Sequence, residues 1–255
     1  LNGAEWFSAV GTATSKGTAV FSGDTGATLF SHGLPSGMEA GATFDPATGN
    51  VYQPGGFDSI WIAGFDASGV PLWTSTAMPV HDGSMGAQRA QSGGCLSHDG
   101  STFYFQTIAE DGMGALYAIR TSDGSVKWSY PTQSRAWERY CSSPVVTPNG
   151  VVFIGNNEGS TYYALRDDET AATLLDTLEL APGAIASAGP SLSADGMLYL
   201  PIRTIWTTGN GSGESPDFAV HNLPAAIDLR EDAATVLPQP GGVRALAGAP
   251  ERLGA

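Results

Sequence analysis

The sequence predicts an all-β fold, a β-propeller of four-stranded blades, from three observations. A strand, a tight turn and a second strand recur along the chain. Glycine and proline, at 34 and 16 of 255 residues, interrupt the chain every few positions, and helical periodicity never runs much beyond one turn. The repeat interval of roughly 50 residues holds four strands of about five residues with their turns, which is one blade. We therefore expect a single domain over residues 1–255.

Residues 115–130 contain the clearest copy of the repeat, ALYAIRTSDGSVKWSY. The residues on both sides of Ser122-Asp123-Gly124 alternate as in strands, and this tripeptide is a hairpin turn signal. Four other segments have the same form and predict the outer hairpins of their own blades: AVFSGDTGATLF (19–30), IAGFDASGVPLW (62–73), YALRDDETAATLL (163–175) and AIDLREDAATVL (226–237).

An earlier hairpin precedes each of these segments. Its turn signals are Asn2-Gly3, Thr48-Gly49-Asn50, Asp99-Gly100, Asn149-Gly150 and Asp195-Gly196. The strands expected after these turns read EWFSAV, VYQPG, STFYFQ, VVFIG and MLYLP. Paired turns of this kind predict five blades, with a polar insert at 207–217 in the last repeat. Six blades, or a fragment of a larger ring, are the alternatives.

The two ends of the chain are expected to share one blade. The chain opens at its first hairpin, so the first strand of the N-terminal blade is missing there. Residues 244–255, RALAGAPERLGA, align with ASAGPSLSADGM at 186–197, where a first strand is expected. A C-terminal strand that pairs into the N-terminal blade would close the ring and remove an open sheet edge.

The repeat YAIRTSDGSVKW, with IAGFDASGVPLW beside it, resembles that of the pyrroloquinoline-quinone-like propellers. This resemblance implies a fold shared by quinoprotein dehydrogenases and by non-catalytic outer-membrane assembly scaffolds. It also implies that Trp73 and Trp128 are docking tryptophans, whose rings cover the neighbouring blade. The residues expected at that place in the other blades are Phe30, Leu174 or Leu175, and Leu237.

The chain departs from the quinone enzymes of that family. Those enzymes have eight blades, an adjacent pair of cysteines and a calcium ion beside the cofactor. The present sequence has room for five blades, no Cys-Cys pair and no Asp-x-Asp calcium loop. We therefore expect no quinone, no other cofactor and no metal.

Composition limits the partners and the location. The net charge is −14, with 25 acidic against 11 basic residues, which argues against nucleic acid because a polyanion is bound through Lys and Arg. No apolar run is long enough for a transmembrane helix. Few charges, small polar residues and acidity favour an exported bacterial protein, periplasmic or extracellular, or one from a salty setting. No signal sequence precedes Leu1, as expected of a processed chain or a shortened one.

Cys95 and Cys141 are the only cysteines. Each falls on the first strand of its repeat, so the two would lie on neighbouring blades. One disulfide and two buried free thiols are equally compatible with this spacing.

One end of the propeller is the expected ligand site. The loops that enter each first strand and those between second and third strands share this end, which we call the arginine face. Its candidate contacts are Arg89, Arg135, Arg139, Arg203, Arg244, Trp137, Trp206, His81 and Tyr140. Arg89 and Arg139 each stand eleven residues before a hairpin glycine, so they would begin first strands at the mouth of a central channel. Converging guanidinium groups predict an anion site, because Arg binds carboxylate or phosphate through two hydrogen bonds.

Other readings of these loops stay open. Ion pairs of the arginines with Glu39, Asp82 and Glu138 would be structural. Trp137 and Trp206 suit a sugar ring, or fold back onto their own loops. His81 beside Asp82 could move a proton, but the sequence has no nucleophile elbow, phosphate loop or metal motif.

Three functions follow. The first is an exported, non-catalytic propeller that binds a glycan or another anionic ligand at the arginine face. The second is a lyase or hydrolase of acidic polysaccharides, with His81 or Tyr140 as base and arginines that neutralise a uronate carboxylate. The third is a scaffold whose blade edges and loops bind other proteins.

Overall fold

A computed structural model gives the fold for the greater part of the chain. The residues that it describes are 5–11, 16–22, 25–33, 40–56, 60–75, 88–90, 92–109, 114–134, 142–156, 159–180, 184–186, 189–193, 196–204, 223–228 and 235–236. Every regular element within these ranges is a β-strand. No helix in them is long and apolar enough to cross a lipid bilayer. The all-β class is confirmed.

The strands form consecutive antiparallel sheets, numbered first to fifth in chain order. The first sheet contains β1 (Glu5–Gly11), β2 (Lys16–Ser22) and β3 (Thr28–Gly33). The second contains β4 (Thr43–Phe44), β5 (Val51–Gly55), β6 (Trp61–Phe65) and β7 (Pro71–Ser75). The third contains β8 (Gln88–Arg89), β9 (Cys95–Leu96), β10 (Thr102–Gln106), β11 (Ile108–Ala109), β12 (Gly114–Arg120) and β13 (Val126–Ser134). Here β9, β10, β12 and β13 form the four-stranded sheet, and β8 pairs with β11 at its end.

The remaining sheets follow the same order. The fourth contains β14 (Val145–Val146), β15 (Val151–Gly155), β16 (Thr161–Asp167) and β17 (Ala172–Glu179). The fifth contains β18 (Ala184–Ile185), β19 (Ser191–Leu192), β20 (Met197–Thr204), β21 (Leu223–Asp228) and β22 (Thr235–Val236). In the fifth sheet, β18 and β19 both pair with β20, so a divided first strand replaces a continuous one.

The predicted inner hairpins lie where turn chemistry requires them. A left-handed backbone favours glycine, which has no Cβ to clash with the neighbouring carbonyl. The four described hairpin glycines all have φ between 72° and 84°: Gly49, Gly100, Gly150 and Gly196. Asn2-Gly3 lies outside the described residues.

The sheets pack face to face, because both surfaces of their central strands are apolar. In β10 and β12, Phe103, Phe105 and Tyr117 face the second sheet, where they pack with Tyr52 and Ile62. The alternate residues of the same strands, among them Tyr104 and Leu116, face the fourth sheet, where they pack with Ile154 and Leu165. A third cluster joins the fourth sheet to the fifth. Successive sheets are therefore stacked like the blades of a propeller.

Closure of the ring lies beyond the described residues. The first sheet has three described strands, and the C-terminal segment expected to supply the fourth, 244–255, is outside the described ranges. Five blades, and their closure by a C-terminal strand, stay predictions.

Candidate functional site

Two of the nine predicted ligand contacts belong to described strands. Arg89 ends β8 and Arg203 lies near the end of β20. The other predicted contacts lie outside the described residues: Arg135, Arg139, Arg244, Trp137, Trp206, His81 and Tyr140.

The backbone register brings Arg89 and Arg203 to corresponding places in two sheets. Arg89 pairs with Ile108 in the third sheet, and Ile185 pairs with Arg203 in the fifth. Both pairs lie at the beginning of the first strand, six positions before Cys95 and Ser191 respectively. The two arginines therefore occupy opposite members of the same strand pair, at the end of the sheets away from the inner hairpins.

Small residues bring the first strands of four sheets close together. A Cβ added to Gly41 would lie 4.0 Å from the Cα of Gly93, and one added to Gly93 would lie 3.6 Å from Oγ of Ser143. A Cβ on Gly189 would lie only 2.8 Å from the carbonyl oxygen of Ser143, closer than a real side chain is found. The hydroxyl of Thr43 also donates a hydrogen bond across sheets, to a third-sheet carbonyl at 3.0 Å. Gly41, Gly93, Ser143 and Gly189 thus follow one another along the first strands of the second to fifth sheets, and the approach is tightest between Ser143 and Gly189.

Two buried amides lie in the same half of their sheets. Gln106 Nε2 donates to Gly155 O of the fourth sheet at 3.0 Å, and Gln53 Nε2 donates to Ala40 O at 2.8 Å. The Oε1 atoms of both glutamines are buried and have no hydrogen-bond partner among the described residues. A buried carbonyl of this kind is ordinarily satisfied by an ordered water.

At the other end of the sheets, Trp73 docks the second sheet onto the third. Its indole N–H donates to Thr121 O at 2.8 Å, in the hairpin between β12 and β13. A Cβ on Gly124 would lie 2.4 Å from the indole, so only glycine leaves room for the ring. Trp73 therefore has the docking role that the sequence predicted.

Trp128 docks the third sheet onto the fourth in the same way, but its hydrogen-bond acceptor is a carboxylate. Its indole N–H donates to Asp167 Oδ1 at 2.8 Å. The other oxygen, Oδ2, accepts the hydroxyl of Tyr104 at 2.7 Å and the ammonium of Lys127 at 2.9 Å. The backbone N–H of Glu169 donates a fourth bond, to Oδ1. We call Asp167, Lys127, Tyr104 and Trp128 the carboxylate junction.

Burial and hydrogen bonding oppose each other at Asp167, whose side chain is 6% exposed. Burial raises the pKa of its carboxyl group, while the bonds from Tyr104, Lys127 and Trp128 lower it and prevail, so that the pKa lies below its ordinary value. The pKa of Tyr104 is raised, mainly by burial and then by its bond to this carboxylate. The junction therefore holds an ionised Asp167 against a neutral phenol.

Of the two docking residues expected for the fourth sheet, Leu175 packs toward the fifth sheet as predicted, but neither leucine has the register of the tryptophans. Trp73 pairs with Gly64, Trp128 with Ala118, and the matching Ala164 pairs with Asp176, not with Leu174 or Leu175. The outer hairpin of this sheet is longer, since Arg166 and Asp167 continue the pairing with Thr173 and Ala172. Leu174 is consequently exposed, whereas Leu175 packs against the cluster between the fourth and fifth sheets. In the first sheet, Phe30 has the expected register, opposite Val20, and Leu237 lies outside the described residues.

Cys95 carries a free thiol, and Cys141 lies outside the described residues. Cys95 packs beside the cluster of Tyr104 and Leu116, and burial raises the pKa of its thiol well above the ordinary range. A thiol that stays protonated is a poor nucleophile, which agrees with a packing role. Across the described residues, no group of three or more His, Cys, Asp or Glu side chains could hold a metal ion.

The fold is similar to that of several solved structures. BamB from Moraxella catarrhalis matches over 96% of this chain and 89% of its own, at 14% identity and a TM-score of 0.56. Quinohemoprotein alcohol dehydrogenase from Comamonas testosteroni matches over 82% of this chain, at 12% identity and a TM-score of 0.53. A europium-containing methanol dehydrogenase matches over 95%, also at 12% identity and 0.53. This chain spans 43% and 49% of those two enzymes respectively.

No protein-family model matches the sequence, and no curated protein does. At identities of 10 to 14% the likeness concerns the fold. It agrees with the stacked four-stranded sheets described above. By its fold, the chain is a β-propeller similar to BamB and to these two dehydrogenases.

Proposed function

We propose that this chain is an exported binding module or scaffold, periplasmic or extracellular, that holds an anionic ligand on the arginine face. The ligand class that we favour is an acidic glycan. Carboxylates of its uronate units would pair with arginines, and its sugar rings would stack on Trp137 and Trp206. The proposal assigns no catalytic residue and no cofactor.

The observation that carries this proposal is the position of Arg89 and Arg203. The two belong to corresponding strand pairs of the third and fifth sheets. By the repeat, Arg139 and Arg244 would begin the first strands of two further blades. Ligand contacts that come from several blades at one end are the usual way in which a propeller forms a binding site.

An acidic glycan would lie across the arginine face, because its candidate contacts are spread over the entrances to several first strands. Arg and Trp suit such a surface, because both side chains bind sugars and carboxylates without deep burial.

A calorimetric titration tests this proposal with a short oligouronate and its methyl ester. The ester has a methyl group in place of the negative charge of each carboxylate, so the acid is expected to bind and the ester to bind at least tenfold more weakly. Substituting Arg139→Ala or Arg89→Ala is expected to lower affinity for the acid about tenfold, the effect of a hydrogen bond to a charged group.

Arg120→Ala is the matched control, because Arg120 lies beside the outer hairpin of the third sheet, at the opposite end. Equal binding of acid and ester, or an equal loss of affinity in Arg120→Ala, would contradict the site. Appearance of unsaturated-uronate absorbance during the titration would replace the binding module by a lyase, with His81 or Tyr140 as the base to be substituted next.

A protein scaffold is the second candidate, and the perimeter of the sheets favours it. β7 and β17 are outermost strands, each paired on one side among the described residues. Large apolar side chains are exposed on or beside them: Val70 at 56%, Leu72 at 46% and Leu174 at 43%. Open strand edges with apolar residues can add a strand from another protein. Concentration-dependent assembly in sedimentation, abolished by Leu72→Lys with Leu174→Lys, would support this use, and a monomer at every concentration would argue against self-assembly.

A further inference from the structure

One buried side chain of the third sheet lies between two segments that carry predicted contacts of the arginine face. Gln106 ends β10, is fully buried, and lies two residues before Ile108, the partner of Arg89. Four further contacts follow β13 in the sequence: Arg135, Trp137, Arg139 and Tyr140. Gln106 is therefore placed to affect both segments from inside the sheet.

The side-chain amide of Gln106 joins its own strand to β13 and to the fourth sheet. Its Nε2 donates to Thr132 Oγ1 in β13 and to Gly155 O of the fourth sheet, each at 3.0 Å. An amide nitrogen has two hydrogens, so both are used. Buried hydrogen bonds of this kind hold the strands that they join in one arrangement.

Thr132 lies in the bulge from which the chain leaves β13. The ladder between β12 and β13 shifts by two residues at this place, so that Thr132 and Gln133 are extra residues of β13. Thr132 Oγ1 also donates to Gly114 O at 3.2 Å, and Gln133 has φ 55°, a left-handed conformation that a side chain disfavours. Bulges redirect the strand that contains them, and a strained residue persists only where its surroundings hold it. The bonds of Thr132 supply such support.

The other end of the segment 135–141 is connected to Gln106 through Gly155. The N–H of Gly155 donates to Ser142 Oγ at 3.1 Å, while the carbonyl of Gly155 accepts the amide of Gln106. Ser142 is fully buried and is the first described residue after this segment. Thr132 before the segment and Ser142 after it are thus both joined to one glutamine, the first directly and the second through Gly155.

The segment of Arg89 is held by the main chain of Gln106. Ser92, three residues after Arg89, is buried, and its Oγ donates to Gln106 O at 3.3 Å. The N–H of Ala90 donates to Gly56 O of the second sheet, also at 3.3 Å. Supports of this kind keep binding residues in one arrangement before the ligand arrives, which reduces the entropy that is lost on binding.

We propose that Gln106 is a positioning residue of the arginine face. It holds the segment of Arg89 and both ends of the segment 135–141 in one arrangement, and these two segments carry five of the nine proposed contacts. Gln106 is buried and does not itself bind the ligand. This inference rests on the ligand site proposed above, and it adds the interior side chain on which the geometry of that site depends.

Gln106→Met is the first test, because methionine has a similar volume and no amide. The measurement is a calorimetric titration with the short oligouronate and its methyl ester. The acid is expected to bind to the variant about threefold to tenfold more weakly than to the parent, since the segments must then be ordered on binding.

Gln53→Met is the matched control. Gln53 is as fully buried as Gln106, but its amide donates to the carbonyls of residues 40 and 54, at 2.8 Å each, within its own repeat. The substitution removes the same group from the second sheet and should leave affinity for the acid at the parental value. Thermal melts of both variants establish that each is folded at the temperature of the titration.

A second pair of variants changes the acceptor and keeps the glutamine, so that the role can be tested even if Gln106→Met does not fold. Thr132→Val has the shape of threonine without its hydroxyl group, whereas Thr132→Ser retains the hydroxyl. The valine variant is expected to bind the acid about threefold more weakly, and the serine variant to bind as the parent does. Equal affinities of the two would contradict the role of the hydrogen bond.

Hydrogen exchange separates the positioning role from the ligand site. Peptides that contain residues 88–92, 130–134 and 142–146 are expected to exchange faster in Gln106→Met than in the parent, but not in Gln53→Met. Parental affinity in Gln106→Met, or an equal loss of affinity in Gln53→Met, would overturn the role while the ligand site stands. If the parent binds neither acid nor ester, the proposed ligand site is wrong. Faster exchange confined to Gln106→Met would then still support the positioning of the two segments, and unchanged exchange would overturn it.

Discussion

Two neighbouring sheet junctions each contain a docking tryptophan, but the two indole N–H groups donate to different kinds of acceptor. Between the second and third sheets, the indole N–H of Trp73 donates to the backbone carbonyl of Thr121. Between the third and fourth sheets, that of Trp128 donates to the buried carboxylate of Asp167. The two distances are both 2.8 Å, and the two tryptophans have the same register in their sheets.

The comparison separates what the repeat fixes from what each sheet adds. The repeat determines the position of the tryptophan ring, because any large side chain at that position covers the hairpin of the next sheet. The group that accepts the hydrogen bond from the indole depends only on the sequence of the next sheet. At the first junction the ring rests on Gly124 and stacks near Tyr52, at 5.9 Å between ring centroids, so packing dominates. The carboxylate junction adds a buried ion pair, which stabilises only while both partners remain charged.

Asp167→Asn is expected to have the largest effect, a loss of about 4 kcal/mol in the free energy of unfolding. The reason is that Lys127, only 5% exposed, would keep its charge in a buried place without its main partner. Glu169 is too exposed to replace it. Urea denaturation followed by tryptophan fluorescence measures the change.

A double variant sharpens this result. Lys127→Met combined with Asp167→Asn should cost at least about 1 kcal/mol less than the two single substitutions together, because the uncompensated charge is then absent. Asp168→Asn is the matched control, since its pair with Arg166 is exposed and its loss should change the stability little. If Asp168→Asn cost as much as Asp167→Asn, the carboxylate junction would have no special role.

Gly124→Ala probes the packing junction and is expected to cost about 3 kcal/mol. Part of that cost is the left-handed backbone, at φ 74°, and the larger part is the 2.4 Å approach of the new methyl group to Trp73. Gly150→Ala has a similar φ of 81° with no atom within 4 Å, so it isolates the backbone cost at about 1 kcal/mol. Equal losses in the two variants would show that Trp73 moves aside freely.

The sequence was sufficient for the hairpins and for both docking tryptophans. Each described inner turn was recognisable because left-handed backbone selects glycine, as at Gly100 and Gly150. In the fourth sheet, Leu175 packs toward the fifth sheet as predicted, but the register was missed because the position was counted from the turn. Two extra residue pairs lengthen that hairpin, so Asp176 has the register of the tryptophans. The length of a turn depends on how many residue pairs the hairpin forms, and the number of residues between sequence motifs does not reveal this.

The carboxylate junction was beyond sequence reasoning for a different reason. Asp167 is one of two adjacent aspartates in a hairpin, and only the fold brings it to Tyr104 and Lys127 of another sheet. One signal was present in the sequence. Asp167 has the same position in YALRDD as Thr121 has in YAIRTS, and in both cases the tryptophan of the preceding sheet donates its hydrogen bond to that residue. The predicted arginine face depends in the same way on loops between sheets, and only Arg89 and Arg203 are placed by strand register.

The smallest expected effect is a difference between the two junctions in how the cost of removing the tryptophan changes with pH. The pKa of Asp167 in the folded chain lies below its ordinary value, so its stabilising contribution is complete above the unfolded pKa, about 3.9, and is lost as the pH falls through the folded value. Trp128→Phe removes a hydrogen bond to a charged group, worth about 2 kcal/mol at neutral pH, and to a neutral one, worth about 1 kcal/mol, once Asp167 is protonated.

Trp73→Phe removes a bond to a backbone carbonyl, which does not titrate. The cost of Trp73→Phe, a lost hydrogen bond of about 1 kcal/mol together with lost ring packing, should therefore not change between about pH 7 and pH 2, while that of Trp128→Phe falls over the lower part of this range. Urea denaturation of parent and variants at each pH gives both curves, and other acidic groups cancel because each variant is compared with its parent at the same pH. Parallel curves for the two tryptophans would mean that Asp167 contributes as a neutral acceptor, and that the two junctions differ in sequence but not in physical character.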